Sequence, residues 1–515
     1  MIALSLYCLQ FTVYSARTVH CSNNLFSMTK GATKQKSGGD EDDAKSDIAT
    51  ARAALFSATE GDDNALTPLH SPRPFLNLFV ASNSTRSILP DLSARDQKQL
   101  LLDAIRSFTK SHGRRFFSAL QSIVDKVVSD EEYIPESAYL DENEQDSANE
   151  QDIQADANSS QALNFLNCAA LAVTTYLESL AAKHTNKKTQ LSVTGEVLAV
   201  AVGLHDILFQ LNSCGPHAVA VQAAIVGMCE AWWHANGEQR SQLVAQTIPL
   251  LVISALRHGP SAKSDIKRLF QMRQALEIID FSDTSSGSLK SLLLRLASSP
   301  LLLRLPEGKR LLACLFHVDG ALMRDMHQAV RVQIPDAKKT ELEAYAEIYF
   351  RAWKEAPAPE VQDAVESQVL ADLMYAVIHV ANPNMTKSLL AVLNPFHDAK
   401  KTPAVEDLLH RMYGPILWRS MAAANAKVRV NAAQVLSEVF PLQDASHTQT
   451  DASIRKGCTG LKSLLQDRDP RVRVAGSEAL AKILSTYWDV LPPTEIRSLL
   501  NRKFSSSFNC IVLIL

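Results

Sequence analysis

Glycine is scarce in this chain, 18 of 515 residues, and alternating apolar and polar stretches are scarce with it. A β-sandwich, or an α/β sheet rich in tight turns, needs both, so neither class is expected. Eight cysteines, at 8, 21, 168, 214, 229, 314, 458 and 510, form no Cys-x-x-Cys pair and no regular framework. They read as reduced thiols, and the clustered soft ligands of a zinc site are lacking. No uninterrupted apolar run reaches the roughly 18 residues of a membrane span, because Arg295 and Arg304 split even the leucine-rich stretch.

Groupings that carry catalysis are missing too. Ser264 and Lys267 stand at Ser-x-x-Lys spacing without its companion motifs, and Ser264 reads as a helix cap. His317 and Asp319 have no placed nucleophile. None of the 14 histidines belongs to a His-x-x-x-His pair with a glutamate. Gly259-Pro260 lacks the Gly-Lys-Ser/Thr ending of a phosphate loop. No enzyme is expected, and no catalytic, cofactor or metal residue is assigned. The neighbours Trp232 and Trp233 could grip a peptide, but Met228 and Ile225 at helical spacing favour a core role. Trp353 and Trp418 are expected to fill gaps between helices.

What the chain does have is a pattern written twice. Leu417, Met421, Asn425, Val428, Arg429, Val430, Leu436 and Val439 recur 44 residues later as Leu461, Leu465, Asp469, Val472, Arg473, Val474, Leu480 and Ile483. A period of that size marks stacked helix pairs, since one pair cannot bury its own apolar face. Asp469 can cap the second helix of the later copy, with Pro470 in its first turn, where the missing N–H costs nothing. Ala432 and Gly476 leave room for close helix approach.

The same residues carry a resemblance. Leu464, Leu465, Asp467, Val472 and Arg473 look like the HEAT repeat, which implies a ladder of Asp-to-Arg bridges between neighbouring units. Val428 and Arg429 repeat it in the first copy, but Ala423 stands where the aspartate belongs. Helical patterning extends the array over 162–182, 193–211, 218–233, 242–257, 266–279, 289–303, 309–332, 339–354, 361–380 and 403–442. The expected fold is therefore all-α, a HEAT-repeat α-solenoid of some seven pairs.

Charge is unevenly spread. Residues 127–160 hold eleven acidic and no basic side chains, leaving +8 elsewhere in a chain of net charge −3. The expected organisation is a flexible arm over 1–70, N-terminal helices over 71–126, an acidic disordered insert over 127–160, the solenoid over 161–503, and an atypical tail over 504–515. Residues 2–14 are apolar but lack the basic start of a secretory signal, and Met28 is a more natural first residue.

A closer resemblance rests on longer peptides. Tyr345 to Lys354 (YAEIYFRAWK), Pro415 to Arg419 (PILWR), and Tyr487-Trp488 before Leu491-Pro492-Pro493-Thr494 look like the G class of condensin II non-SMC subunits. Cys229 with Trp232-Trp233, and Arg273 to Leu276, fit in the same order. The resemblance implies a non-catalytic subunit in the nucleus, bound to a kleisin and the SMC ATPases, that helps condense and segregate mitotic chromosomes. It implies neither cofactor, small-molecule substrate nor membrane. It also implies further repeats, so the apolar end at 511–515 reads as a truncation. A generic HEAT scaffold, such as a transport receptor or phosphatase scaffold, is the other reading.

Lys427 and Arg471 stand at the starts of equivalent helices, with Arg502 and Lys503 further on. Stacking would set such residues in a row that follows a phosphate backbone without reading bases. Val428, Arg429, Asp467, Val472 and Arg473 are expected to hold the repeats together.

Overall fold

The computed structural model describes residues 102–129, 150–184, 189–213, 215–257, 259–443 and 450–506. The chain divides into two compact units, Met1–Phe108 and Thr109–Leu515. In the first, residues 102–106 are helical, and Ala104, Ile105 and Phe108 are buried. The arm expected over 1–70 lies outside the described residues.

The second unit is built from two rows of helices. One row holds α1 (Lys110–Ser129), α3 (Gly195–Asp206), α5 (Thr247–Leu256), α7 (Gly287–Leu296), α10 (Gly320–Gln333), α12 (Pro359–Val365) with α13 (Ala371–His379), α15 (Pro403–Met421), α17 (Thr450–Leu465) and α19 (Pro493–Ser506). The other holds α2 (Glu150–Lys183), α4 (Gly215–His234), α6 (Ala262–Gln271), α8 (Pro300–Arg304) with α9 (Pro306–Val318), α11 (Lys339–Lys354), α14 (Pro383–Asp398), α16 (Ala426–Val439) and α18 (Pro470–Tyr487). Each helix packs on its sequence neighbour across the rows or on the next helix along its own row, as α16 does on α18. The two sequence copies therefore lie side by side. Among the described residues the one β pairing is an isolated bridge between Leu191 and Gly237.

Helix starts follow the local chemistry. Pro300, Pro306, Pro359, Pro383, Pro403 and Pro470 all stand in first turns, where no N–H is required. Asp319, Asn382, Asn425 and Asp469 cap the helices that follow them by accepting backbone N–H bonds. Several helices expected to be continuous are broken. Asp319 divides 309–332 into α9 and α10, Ser299-Pro300 divides 289–303, and 266–279 ends in a 3-10 segment, Arg273–Ile278. In the first two, a residue that can start a helix interrupts an apolar pattern that by itself runs on.

The acidic stretch also needs correcting. Residues 130–149 lie outside the described set, but α2 begins at Glu150, inside the segment expected to be disordered. A helix already nucleated by its apolar half propagates at little cost, and acidic residues at its N-terminal end complement the helix dipole. The boundaries expected at 126 and 160 thus fall within α1 and α2. At the other end α19 continues to Ser506, past the expected limit at 503. The segment Ala162–Lys183 of α2 is long and apolar enough to cross a membrane, yet 61% of its apolar window is buried, as in a core helix.

Of the peptides that carry the closer resemblance, Tyr345 to Lys354 is mostly core, whereas Trp418 is half-buried and Trp488 is exposed. Tyr345, Tyr349 and Trp353 lie four residues apart on one buried face of α11. Tyr345 donates to the carbonyl of Ala297 at 3.1 Å, and Trp353 Nε1 donates to Glu366 at 2.8 Å. Trp232 and Trp233 are both buried, with Trp232 Nε1 bonded to the Glu238 carbonyl and Arg240 stacked over Trp233.

Candidate interface along the repeat edge

At the junction of the two matched copies, α16 and α18 lie in contact, and their caps are the same device. Asn425 accepts from the N–H of Lys427, and Asp469 from that of Arg471, each at 2.9 Å. The cap therefore sets Lys427 and Arg471 in equivalent positions of the first turn, and both are exposed. Neither cation is idle. Lys427 Nζ reaches back 3.0 Å to the carbonyl of Ala381, in the preceding unit. Arg471 pairs with Asp469, Nη2 to Oδ2 at 2.8 Å, and that bond is the main reason the Asp469 carboxyl is held down to about 2. The Arg471–Asp469 pair is thus close to neutral, whereas Lys427, capped by an uncharged asparagine, leaves a net positive charge. Arg502 and Lys503 belong to α19, but their side chains lie outside the described residues.

Arg429 and Arg473, 44 residues apart, make the same bonds. Arg429 Nη1 donates to the carbonyls of Ala423 and Ala424, and Arg473 Nη1 to those of Asp467 and Arg468. Each guanidinium therefore closes the turn before its own helix, supplying donors to carbonyls that have no partner in the helix. The other edge of Arg429 is clasped by Asp467 of the next unit, Nε to Oδ2 at 2.7 Å and Nη2 to Oδ1 at 2.8 Å. This two-pronged bond depresses the Asp467 carboxyl and raises the guanidinium. Val428 and Val472 are buried beneath these links.

Where Ala423 removes the rung, other side chains bind the units. Asn431 Nδ2 donates to the carbonyls of Ile378 and Val380, at 3.0 and 2.9 Å, beside the Lys427–Ala381 bond. Sequence reading missed Asn431, although a polar residue on the apolar stripe of α16 was the available signal. It missed Glu366 as well. This buried carboxylate opens a π-helical turn, Glu366–Leu370, and accepts from both Trp353 and Arg411, the latter at 2.7 Å. Three successive units meet there.

Of the residues weighed for catalysis, His317 and Asp319 have structural roles. Ser264 does not cap α6, since it is the third residue inside that helix and is exposed. His317 bonds the carbonyl of Ala352 at 2.7 Å, and Asp319 caps α10. Burial pushes the thiols of Cys229 and Cys458 up to about 12 and about 11, which disfavours the reactive thiolate. Among the described residues no group of three His, Cys, Asp or Glu could hold a metal ion.

Residues 295–444, from the end of α7 through α16, match the family model of the condensin II non structural maintenance of chromosomes subunit. The chain is 34% identical over 286 residues to the human condensin-2 complex subunit G2, covering 55% of this chain and 25% of that protein. Its Xenopus laevis counterpart is 33% identical over 309 residues, covering 59% of this chain and 26% of that protein. The chain thus spans about a quarter of the length of these relatives. Among solved structures, a microtubule polymerase with tumor overexpressed gene domain arrays covers 90% of this chain and 98% of its own at 11% identity and a TM-score of 0.24. The fold assignment rests on this chain's own helix packing.

Proposed function

We propose that this chain is part of a non-catalytic condensin II subunit whose helix pairs bind a kleisin, beside the SMC ATPases, and contact duplex DNA to support mitotic chromosome condensation in the nucleus. The observation that carries the reading is the similarity to condensin-2 subunit G2, together with the family-model match over 295–444, the stretch that includes α11 to α16. A stacked array with polar links between units suits a scaffold: it presents repeated surface, and His317 and Asp319 are committed to an inter-helix bond and a helix cap.

DNA contact is assigned to Lys427 and Arg471, followed by Arg502 and Lys503. Successive helix starts offer cations at repeat spacing, suited to phosphates and indifferent to base identity. Lys427 is the stronger candidate, because Asp469 already offsets Arg471. The test is a titration of labelled duplex with the chain and a kleisin segment at several salt concentrations. Binding should fall steeply with salt, and Lys427→Gln with Arg471→Gln should lower the slope of log affinity against log salt by about 1 to 2. No binding at low salt with kleisin present refutes DNA contact, and failure of the kleisin to co-purify refutes the scaffold reading.

A further inference from the structure

The turn that follows α4 supports an inference independent of that reading. Asn236 and Gly237 stand there, and the pair Asn-Gly occurs once in the chain. Asn236 adopts a left-handed backbone, φ 53°, which asparagine tolerates better than most residues. Gly237 is required beside it, since a Cβ would stand 2.4 Å from Nε1 of the buried Trp232. The fold thus selects, for steric reasons, the dipeptide in which an unshielded backbone amide lies next to a side-chain carboxamide.

In an unrestrained chain that pair reacts with itself. The Gly237 nitrogen reaches Cγ of Asn236 only if the peptide between them turns about the Asn236 Cα–C bond. Here that rotation is blocked at both ends of the peptide plane. The Asn236 carbonyl accepts from Leu191 N–H at 2.9 Å, and the Gly237 N–H donates to the Trp232 carbonyl at 3.1 Å. Because the peptide is planar, its C=O and N–H rotate together, and each bond holds the other. Glu238 N–H completes the contact by donating to the Leu191 carbonyl at 3.1 Å, and Asn236 Nδ2 donates to the Thr189 carbonyl at 3.4 Å. Residues 189–191 lead from α2 to α3, so this small lock joins two successive helix pairs.

We propose that Asn236 is a latent deamidation site, locked while Leu191 holds its carbonyl and released when that contact opens. On release the Gly237 nitrogen bonds to Cγ of Asn236 as the bond from Cγ to Nδ2 breaks, and the Gly237 amide proton leaves with Nδ2 as ammonia. Water then opens the cyclic imide at either carbonyl, giving an aspartate or an isoaspartate. No oxidant or cofactor enters, because an amide and a water give a carboxylate and an ammonium ion. Either product adds a negative charge next to Glu238. The isoaspartate also routes the main chain through an extra methylene, which carries the carbonyl away from Leu191 and keeps the lock from closing again. The change is one-way, so the site records openings of the junction between the α2–α3 and α4–α5 connections.

The experiment holds the full chain at mildly alkaline pH in buffer, in urea below its unfolding transition and in urea above it, and maps position 236 by mass spectrometry. Isoaspartate is scored by methyl transfer from labelled S-adenosylmethionine with a purified isoaspartyl methyltransferase. Deamidation in buffer should be at least about tenfold slower than in the unfolded chain, because the reaction waits on opening. It should quicken in urea that leaves the helix content unchanged, and severalfold in Leu191→Pro, which lacks the N–H that holds Asn236. The urea series needs no variant and decides alone if Leu191→Pro fails to fold. Equal rates in the folded and unfolded chain, or a rate that rises only with global unfolding, overturn the lock. The deamidated form, being more negative, is separated by ion exchange and should unfold at a lower urea midpoint than the unmodified fraction of the same sample. Equal midpoints overturn the unlocking of the junction by the modified residue.

Discussion

The Arg429–Asp467 rung joins two residues 38 positions apart, and both are shielded from solvent, at 14% and 12% side-chain exposure. Removing one partner leaves the other ion or its donors short of bonds in a poorly hydrated site. Asp467→Asn should therefore cost about 1–3 kcal/mol in chemical denaturation. The Asp467 carboxyl is held down in the fold, first by the bond from Arg429. Its contribution is complete above the ordinary carboxylate range of about 4 and is lost as pH falls through the depressed folded value. Acid should accordingly destabilise the Asn variant less than the parent chain.

Two buried histidines add to the same sensitivity to acid. His327 Nδ1 lies 3.0 Å from the Tyr349 hydroxyl, and its Nε2 lies 3.0 Å from Asp372, a carboxylate that Arg331 also engages. That arrangement suits a neutral ring, donating to Asp372 and accepting from Tyr349. Burial and Arg331 lower its pKa to about 4, while burial and nearby lysines lower His397, bonded to Tyr413, to about 3. Below pH ~6.5 the unfolded chain takes up protons that the fold refuses, so stability should decline from there toward pH 4. The His327 share is about 3 kcal/mol. Urea titrations from pH 7.5 to 4.5 should show this decline in the parent and a shallower one in His327→Gln; parallel profiles would sink the assignment.

At the scale of elements, the α17–α18 contact shows what a missing side chain achieves. A Cβ built on Gly476 would stand 3.1 Å from Leu464 Cβ and 3.3 Å from its carbonyl carbon, closer than packed side chains normally come. Gly476→Val should push the helices apart and destabilise by about 1–3 kcal/mol, seen as a lower urea midpoint. An unchanged midpoint would mean that the crossing is looser than described. Gly476, Asp469-Pro470 and the α18 stripe were all legible, because caps and periodicity are local. The π-turn at Glu366 was not legible. Its register depends on Trp353 and Arg411, from the units before and after it, and no pattern within residues 361–380 announces them.

For the whole molecule, the two rows turn a short sequence period into a repeated surface, and charge then acts over longer range. Eight acidic side chains lie between residues 130 and 149, and their neutralisation would move the net charge from −3 to +5. Under the proposed DNA contact, exchanging them for Asn and Gln should raise duplex affinity at low salt and change it little at high salt, where the field is screened. Affinity unchanged at low salt would show that this stretch does not oppose the proposed contact.

By itself the sequence determined the helical class, the 44-residue offset, the helix starts at Asx-Pro and Asn, and the residues that face inward. All of these are written within a few turns of chain, where hydrogen-bond geometry and apolar spacing act. Tertiary structure decided the rest: that Asp467 answers Arg429, and that Asn431 and Lys427 bind the unit before them where an aspartate is missing. Each of these depends on groups brought together from distant positions, and such proximity exists only once the helices have stacked.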